Sequence, residues 1–174
     1  MKHKLQLLDV VQDTIVDGPG FRTAFYAAGC KHQCKDCHNP QSWSFTNGAA
    51  HSVTNLLHLA LQGYGDITFT GGDPLFQIDS FIVLAEGIKR YSTKNIWCYT
   101  GFTFEEINLS PNLSRILPYI DVLVDGRFDS SLKSEHLLYR GSSNQRIIDV
   151  KKSIDQQSVV ELNFDHLLSI NHFG

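Results

Sequence analysis

Apolar residues recur at helical spacing in two stretches of the chain. Leu56, Leu57, Ala60, Leu61 and Tyr64 fall on one face of a helix, and Phe81, Leu84, Ala85, Ile88 and Tyr91 on one face of another. Four short runs rich in β-branched and aromatic residues, at 23–28, 66–70, 95–100 and 121–125, read as strands, each leading into a Gly-containing loop. Thr103 with Glu106 has the pattern of a capping box. It opens a third helical region that runs on through Leu113, Ile116, Leu117 and Ile120, with a break at Ser110-Pro111. Strand and helix therefore alternate, the order of βα units on a parallel sheet. Residues 5–16 alternate imperfectly and are expected as an antiparallel edge strand. Residues 151–174 hold Leu162, Phe164, Leu167 and Leu168 without a clear period and receive no assignment. The whole of 1–174 reads as one α/β domain without repeats or linkers. A closed barrel of eight βα units takes about 250 residues, so this chain supplies roughly half of one.

Composition adds limits. At 174 residues and 42% hydrophobic content, the chain can bury roughly 70% of its unfolded surface and needs no disulfides to fold. The net charge is −3 and the pI about 6.2. No basic run exceeds the pairs Lys89-Arg90 and Lys151-Lys152, which argues against nucleic acid and against a membrane surface as partners. The first residues lack the apolar core of a signal peptide, and no stretch approaches the ~18 apolar residues of a membrane span. A cytoplasmic protein is the expectation. In that reducing compartment, grouped cysteines are more often metal ligands or redox catalysts than disulfides.

Cys30, Cys34 and Cys37 have the spacing C-x3-C-x2-C, at the end of a predicted strand and beside His32 and His38. Thiolates at this density select zinc or an iron–sulfur cluster. A closed zinc site needs a fourth ligand, which His32 or His38 would provide, since no second C-x2-C knuckle exists. Thioredoxin-like chemistry at Cys34-Lys35-Asp36-Cys37 fits less well, because it needs no third cysteine. Three cysteines on a 4Fe-4S cube leave one iron without a protein ligand, the open position a catalytic metal site requires. Cys98, between Trp97 and Tyr99 in a predicted strand, reads as a buried small hydrophobe. His51, His58, His136, His166 and His172 are scattered without metal spacing and read as surface or core.

Two other segments accompany the cysteines. Thr70-Gly71-Gly72-Asp73-Pro74 ends the second predicted strand; its glycines let backbone approach a ligand closely, and its carboxylate can accept from an ammonium group. Asp17-Gly18-Pro19-Gly20-Phe21-Arg22 has the make-up of a tight turn. With His38-Asn39-Pro40 and Trp43 these motifs stand in the order of the glycyl-radical-enzyme activating enzymes, and the chain resembles that family of the radical S-adenosylmethionine superfamily. Residues 96–102, 121–128 and 139–146 narrow the resemblance to the members that serve the anaerobic ribonucleoside-triphosphate reductase. It covers about residues 9–150, leaving 151–174 outside. Two positions depart from the usual pattern: Asp36 stands where the superfamily more often has an aromatic residue, and Asp73 where Glu is commoner.

The resemblance implies a partial (β/α) barrel of the radical S-adenosylmethionine type, roughly half a TIM barrel. It implies that Cys30, Cys34 and Cys37 ligate a 4Fe-4S cluster, that Gly71, Gly72 and Asp73 hold the methionine end of S-adenosylmethionine, and that Asp36 and His38 line the adenosine pocket. The implied reaction is reductive cleavage to methionine and a 5′-deoxyadenosyl radical, which takes hydrogen from a glycine in the large catalytic subunit of the class III reductase. The implied electron donor is a flavodoxin- or ferredoxin-type protein. The alternatives are an activating enzyme for another glycyl-radical enzyme such as pyruvate formate-lyase, a small radical enzyme acting on a deazapurine, or a non-catalytic zinc or iron–sulfur module.

Overall fold

The structure, a computed structural model, describes residues 3–165. Its seven strands are β1 (Lys4–Thr14), β2 (Arg22–Ala27), β3 (Ala49–Ser52), β4 (Asp66–Gly71), β5 (Ile96–Tyr99), β6 (Val122–Asp125) and β7 (Arg146–Asp149). They form one sheet in the order β3-β1-β2-β4-β5-β6-β7. The central four, β2, β4, β5 and β6, run parallel; β1 and β7 flank them antiparallel. The helices are α1 (Val53–Gln62), α2 (Ile78–Tyr91), α3 (Phe104–Leu109) and α4 (Val150–Gln156). The fold is α/β, and among the described residues no helix is long and apolar enough to cross a membrane.

Side chains alternate across a strand, so each parallel strand has two buried faces to fill. On one face Phe25, Phe69, Cys98 and Leu123 pack against Leu56, Ala60, Phe81, Leu84 and Ile88 of α1 and α2. On the other, Trp97, Val122, Val124 and Ile147 meet Tyr99, Tyr139, Leu162 and Phe164. The strands consequently read as apolar runs rather than as alternating ones.

The four parallel strands lie where the runs of β-branched and aromatic residues predict, and the capping box is formed: Thr103 Oγ1 accepts from Glu106 N–H, and Glu106 from Thr103 N–H. Three expectations change. The segment expected at 5–16 is antiparallel but not an edge, because β3, only four residues long and too short to show a period, covers its outer side at Leu5↔His51 and Gln6↔Ala50. The third helical region does not continue as an α-helix. Leu113–Tyr119 is a 3-10 helix with Pro118 inside it, and proline has no N–H for an α-helical bond. In the unassigned tail, α4 is capped by Asp149, which accepts from Lys152 N–H, and ends at Gln157 in the left-handed region. The chain then pairs along β7 through Ile148↔Glu161 and places Leu162 and Phe164 on the face away from α1 and α2. His166, Leu167, Leu168 and His172 lie outside the described residues.

Candidate functional site

The loop carrying Cys30, Cys34 and Cys37 leaves the C-terminal end of β2, the first parallel strand. Its entry is fixed by backbone bonds: Gly29 N–H donates to Ser42 O at 2.7 Å, Cys30 N–H to Trp43 O at 3.1 Å, and Asp73 N–H to Gly29 O at 3.0 Å. Gly29 has φ +98°, and a Cβ there would lie 2.2 Å from the Phe45 ring, so glycine is required at this entry. Beyond it Gln33 and Asp36 take the left-handed region at φ 49° and 56°, winding the loop so that Cys37 N–H meets Cys34 O at 3.2 Å. All three thiols are half-buried, whereas Cys98 is buried in the core on β5. Burial pushes the Cys30 thiol up, while the backbone N–H groups of His32 and Gln33 pull it down. Burial drives the Cys98 thiol well above an ordinary one, and the Asp73 charge adds to the rise.

Next to the loop, the end of β4 packs closely on that of β2. A Cβ at Gly71, whose φ is +101°, would lie 2.4 Å from Ala27 N, and one at Gly72 would lie 2.6 Å from Gly29 O. These glycines are therefore demanded by strand packing. Asp73 is fully buried. Its Oδ1 accepts from Leu75 N–H at 2.9 Å; its Oδ2 accepts from the Thr100 hydroxyl at 2.8 Å, from Gly101 N–H at 3.0 Å and from His32 Nε2 at 2.9 Å. Asp36 and His38 are exposed on either side of Cys37, and His38 faces the Phe128 ring edge-on with centroids 6.4 Å apart.

Two motifs, the expected tight turn at Asp17–Arg22 and the 139–146 block, are held by bonds to residues distant in the sequence. Arg22, 1% exposed, donates from Nε to Thr68 Oγ1 at 2.7 Å, from an Nη to Ile67 O at 2.7 Å and from the other Nη to Pro19 O at 3.2 Å, with Trp97 5.3 Å away. Thr68 in turn donates to Asp17 O at 2.8 Å, and Tyr26 donates its hydroxyl to Asp17 Oδ2 at 2.6 Å. The Asp17–Arg22 motif is thus a loop seated on a buried guanidinium. The 139–146 block braces the loop after β6: Gln145 accepts from Gly141 and Ser142 N–H and donates to Gly126 O at 2.9 Å, while Asn144 donates to Arg127 O at 2.9 Å. The signal for both was their polar, Gly-rich make-up, which marks a turn without telling what it supports.

Among the described residues, no three His, Cys, Asp or Glu side chains are grouped to hold one metal ion. His32, one of the two candidates for a fourth zinc ligand, has its Nε2 bonded to Asp73. A 4Fe-4S cube makes a different demand, taking each thiolate at a separate iron. Three soft donors in one half-exposed loop, with the remaining cysteine buried elsewhere, fit that group.

A family model described as a 4Fe-4S single cluster domain matches residues 16–148. The chain is 38% identical over 144 residues to the anaerobic ribonucleoside-triphosphate reductase-activating protein of Pasteurella multocida (strain Pm70), covering 76% of this chain and 90% of that protein. It is 35% identical over 142 residues to the protein of the same name from Enterobacteria phage T4, covering 76% and 86%. To that of Escherichia coli (strain K12) it is 34% identical over 140 residues, covering 75% and 90%. A crystal structure of QueE from Escherichia coli overlaps with a TM-score of 0.46 at 21% identity, covering 57% of this chain and 53% of that one.

Proposed function

This chain belongs to the family of anaerobic ribonucleoside-triphosphate reductase-activating proteins, and we infer from that membership that it is a radical S-adenosylmethionine enzyme that activates the class III reductase. Three half-exposed thiols on the loop after the first parallel strand are the observation that carries the reading. When bound, a 4Fe-4S cluster supplies the electron for reductive cleavage of S-adenosylmethionine, and so the radical that takes a hydrogen atom from a glycine of the reductase. Cys30, Cys34 and Cys37 would hold the cluster. Gly71, Gly72 and Asp73 would form the methionine side of the pocket, supported by their place at the end of β4, where Asp73 N–H is bonded to Gly29 O at the entry of the cysteine loop. Asp36 and His38 would line the adenosine side, supported by their exposure next to Cys37.

We read the sheet as a partial (β/α) barrel, on the strength of its four parallel strands with the cysteine loop at the C-terminal end of the first. Active sites of βα barrels lie at that end of their strands. The electron would come from a flavodoxin- or ferredoxin-type protein, to which the exposed Lys31, Gln33 and Lys35 around the thiols give access.

The test is anaerobic reconstitution followed by iron and sulfide analysis, 5′-deoxyadenosine release, and the glycyl-radical signal after mixing with the reductase and a reductant. About four irons per chain are expected, with Cys30→Ala, Cys34→Ala and Cys37→Ala each abolishing the signal and Cys98→Ala retaining it. One zinc per chain, or a glycyl radical formed by any of the first three variants, would sink the assignment.

A further inference from the structure

We propose that His32 and Asp73 form a bolt that fastens the cysteine loop to the strand ends, with His32 the positioning residue for Cys30 and Cys34. This rests on the functional reading above and refines the part played by Asp73. The four donors on the Asp73 carboxylate come from three separate pieces of chain: Leu75 in the turn after β4, Thr100 and Gly101 in the loop after β5, and His32 in the cysteine loop. Asp73 is also the N-cap of the 3-10 turn Pro74–Gln77, and its short side chain keeps the carboxylate inside that turn.

The His32 side chain is 5% exposed. Its ring meets Phe102 edge-on at 4.6 Å between centroids and Phe76 at 5.2 Å. Glycine at 101 makes room for it, since a Cβ there would lie 2.4 Å from the His32 ring. On either side of His32, Lys31, Gln33, Lys35 and Asp36 are exposed. The loop is thus pinned by backbone at its entry and by this one buried side chain between its first two thiols.

A buried carboxylate already satisfied by four donors turns toward a ligand only by leaving some of those donors unmet. In this structure the Asp73 side chain therefore holds protein to protein.

The experiment compares wild type with His32→Ala, His32→Gln, Asp73→Asn and the double variant His32→Ala/Asp73→Asn, all as the full chain. In the reduced, cofactor-free protein, amide hydrogen exchange is followed by mass spectrometry. In His32→Ala, peptides spanning 30–37 and 98–102 should exchange roughly 10- to 100-fold faster, the range that loss of a buried bond to a charged group implies, while peptides of α1 and α2 stay as in wild type. His32→Gln restores a donor near the Nε2 position and should return exchange toward wild type. The double variant should be no worse than Asp73→Asn alone. After reconstitution, His32→Ala should broaden the spectrum of the reduced cluster with S-adenosylmethionine bound, and His32→Gln should sharpen it again. Thr100→Val removes another donor from the same carboxylate at nearly constant shape, and should loosen the same peptides if His32→Ala fails to fold. Exchange in His32→Ala or Thr100→Val equal to wild type overturns the bolt. So does additivity in the double variant, with Asp73→Asn alone weakening S-adenosylmethionine binding, which would make Asp73 a direct ligand contact. Failure of the wild type to take up iron or bind S-adenosylmethionine would strike the functional reading instead, and the exchange arm, needing no cofactor, remains readable.

Discussion

Replacing Arg22 by methionine tests whether the Asp17–Arg22 motif is held from below by a buried guanidinium. Methionine keeps much of the aliphatic stem but provides no donor. It would leave Thr68 Oγ1 and Ile67 O, both served at 2.7 Å, without their partner, and Pro19 O without its bond at 3.2 Å. Each buried acceptor left unmet costs about 1–3 kcal/mol, and relief from burying a guanidinium returns part of that, so the net expectation is about 2–4 kcal/mol. Burial already depresses the Arg22 pKa, the sign expected for a cation taken out of water. With a urea slope near 2 kcal/mol/M, the midpoint should fall by about 1–2 M in cofactor-free, reduced protein. Arg22→Lys keeps the charge but not the fork, and should fall between the two. The loop should respond with the core: a Cβ built on Gly18 lies 2.9 Å from Arg22 Cδ and 3.3 Å from Trp97, so Arg22 and Trp97 together form the seat on which residues 17–20 rest. A midpoint for Arg22→Met within about 0.3 M of wild type would refute the reasoning, because it would mean these acceptors find water or other donors at no cost.

Gly71→Ala places a Cβ 2.4 Å from Ala27 N at φ +101° and should cost at least about 2 kcal/mol; an unchanged urea midpoint would show that β2 and β4 can separate. Acid should weaken the fold. Hydrogen bonding to Arg146 holds Glu105 below the usual carboxylate range, and Lys152 N–H does the same for Asp149. A depressed folded pKa stabilises above the unfolded value of about 4 and is lost as pH falls through the folded one, so the urea midpoint should decline below about pH 4–5. Glu105→Gln should flatten that decline only slightly, because the Glu105 side chain is 54% exposed. An acid limb that steepens in Glu105→Gln would reverse the sign of the argument.

Local chemistry was legible where it repeats along the chain. The parallel strands are apolar runs ended by glycine, α1 and α2 show helical spacing, and Thr103 and Glu106 declare their cap. What escaped depends on partners distant in sequence. β3 and β7 are four residues each and exist because β1 and β6 offer them an edge. α4 turns only Val150 and Ser153 inward, too little for a period. The same holds in the site. The cysteine spacing announces itself within eight residues, but the engagement of Asp73 by His32 spans 41 positions and by Thr100 spans 27, and no pattern in either segment signals it.

The sheet also bears on why the acceptor of the radical is another protein. Four parallel strands give half the units of a closed barrel. The sheet face opposite α1 and α2 is already filled along β5 to β7, where Phe164 and Tyr139 meet Trp97 at centroid distances of 5.6 and 5.7 Å. Over β2 and β4 it is filled by the loop that Arg22 and Asp17 hold. In the cysteine loop Lys31, Gln33, Lys35 and Asp36 remain exposed beside the thiols. A primary carbon radical survives only where water and stray hydrogen donors are kept out. Among the described residues the end of the sheet that carries the cysteine loop is left open, and a wall brought by the reductase together with its glycine would close it. Cleavage of S-adenosylmethionine should therefore be slow and uncoupled without the reductase and several-fold faster with it; equal rates in its presence and absence would show that this chain shields the radical unaided.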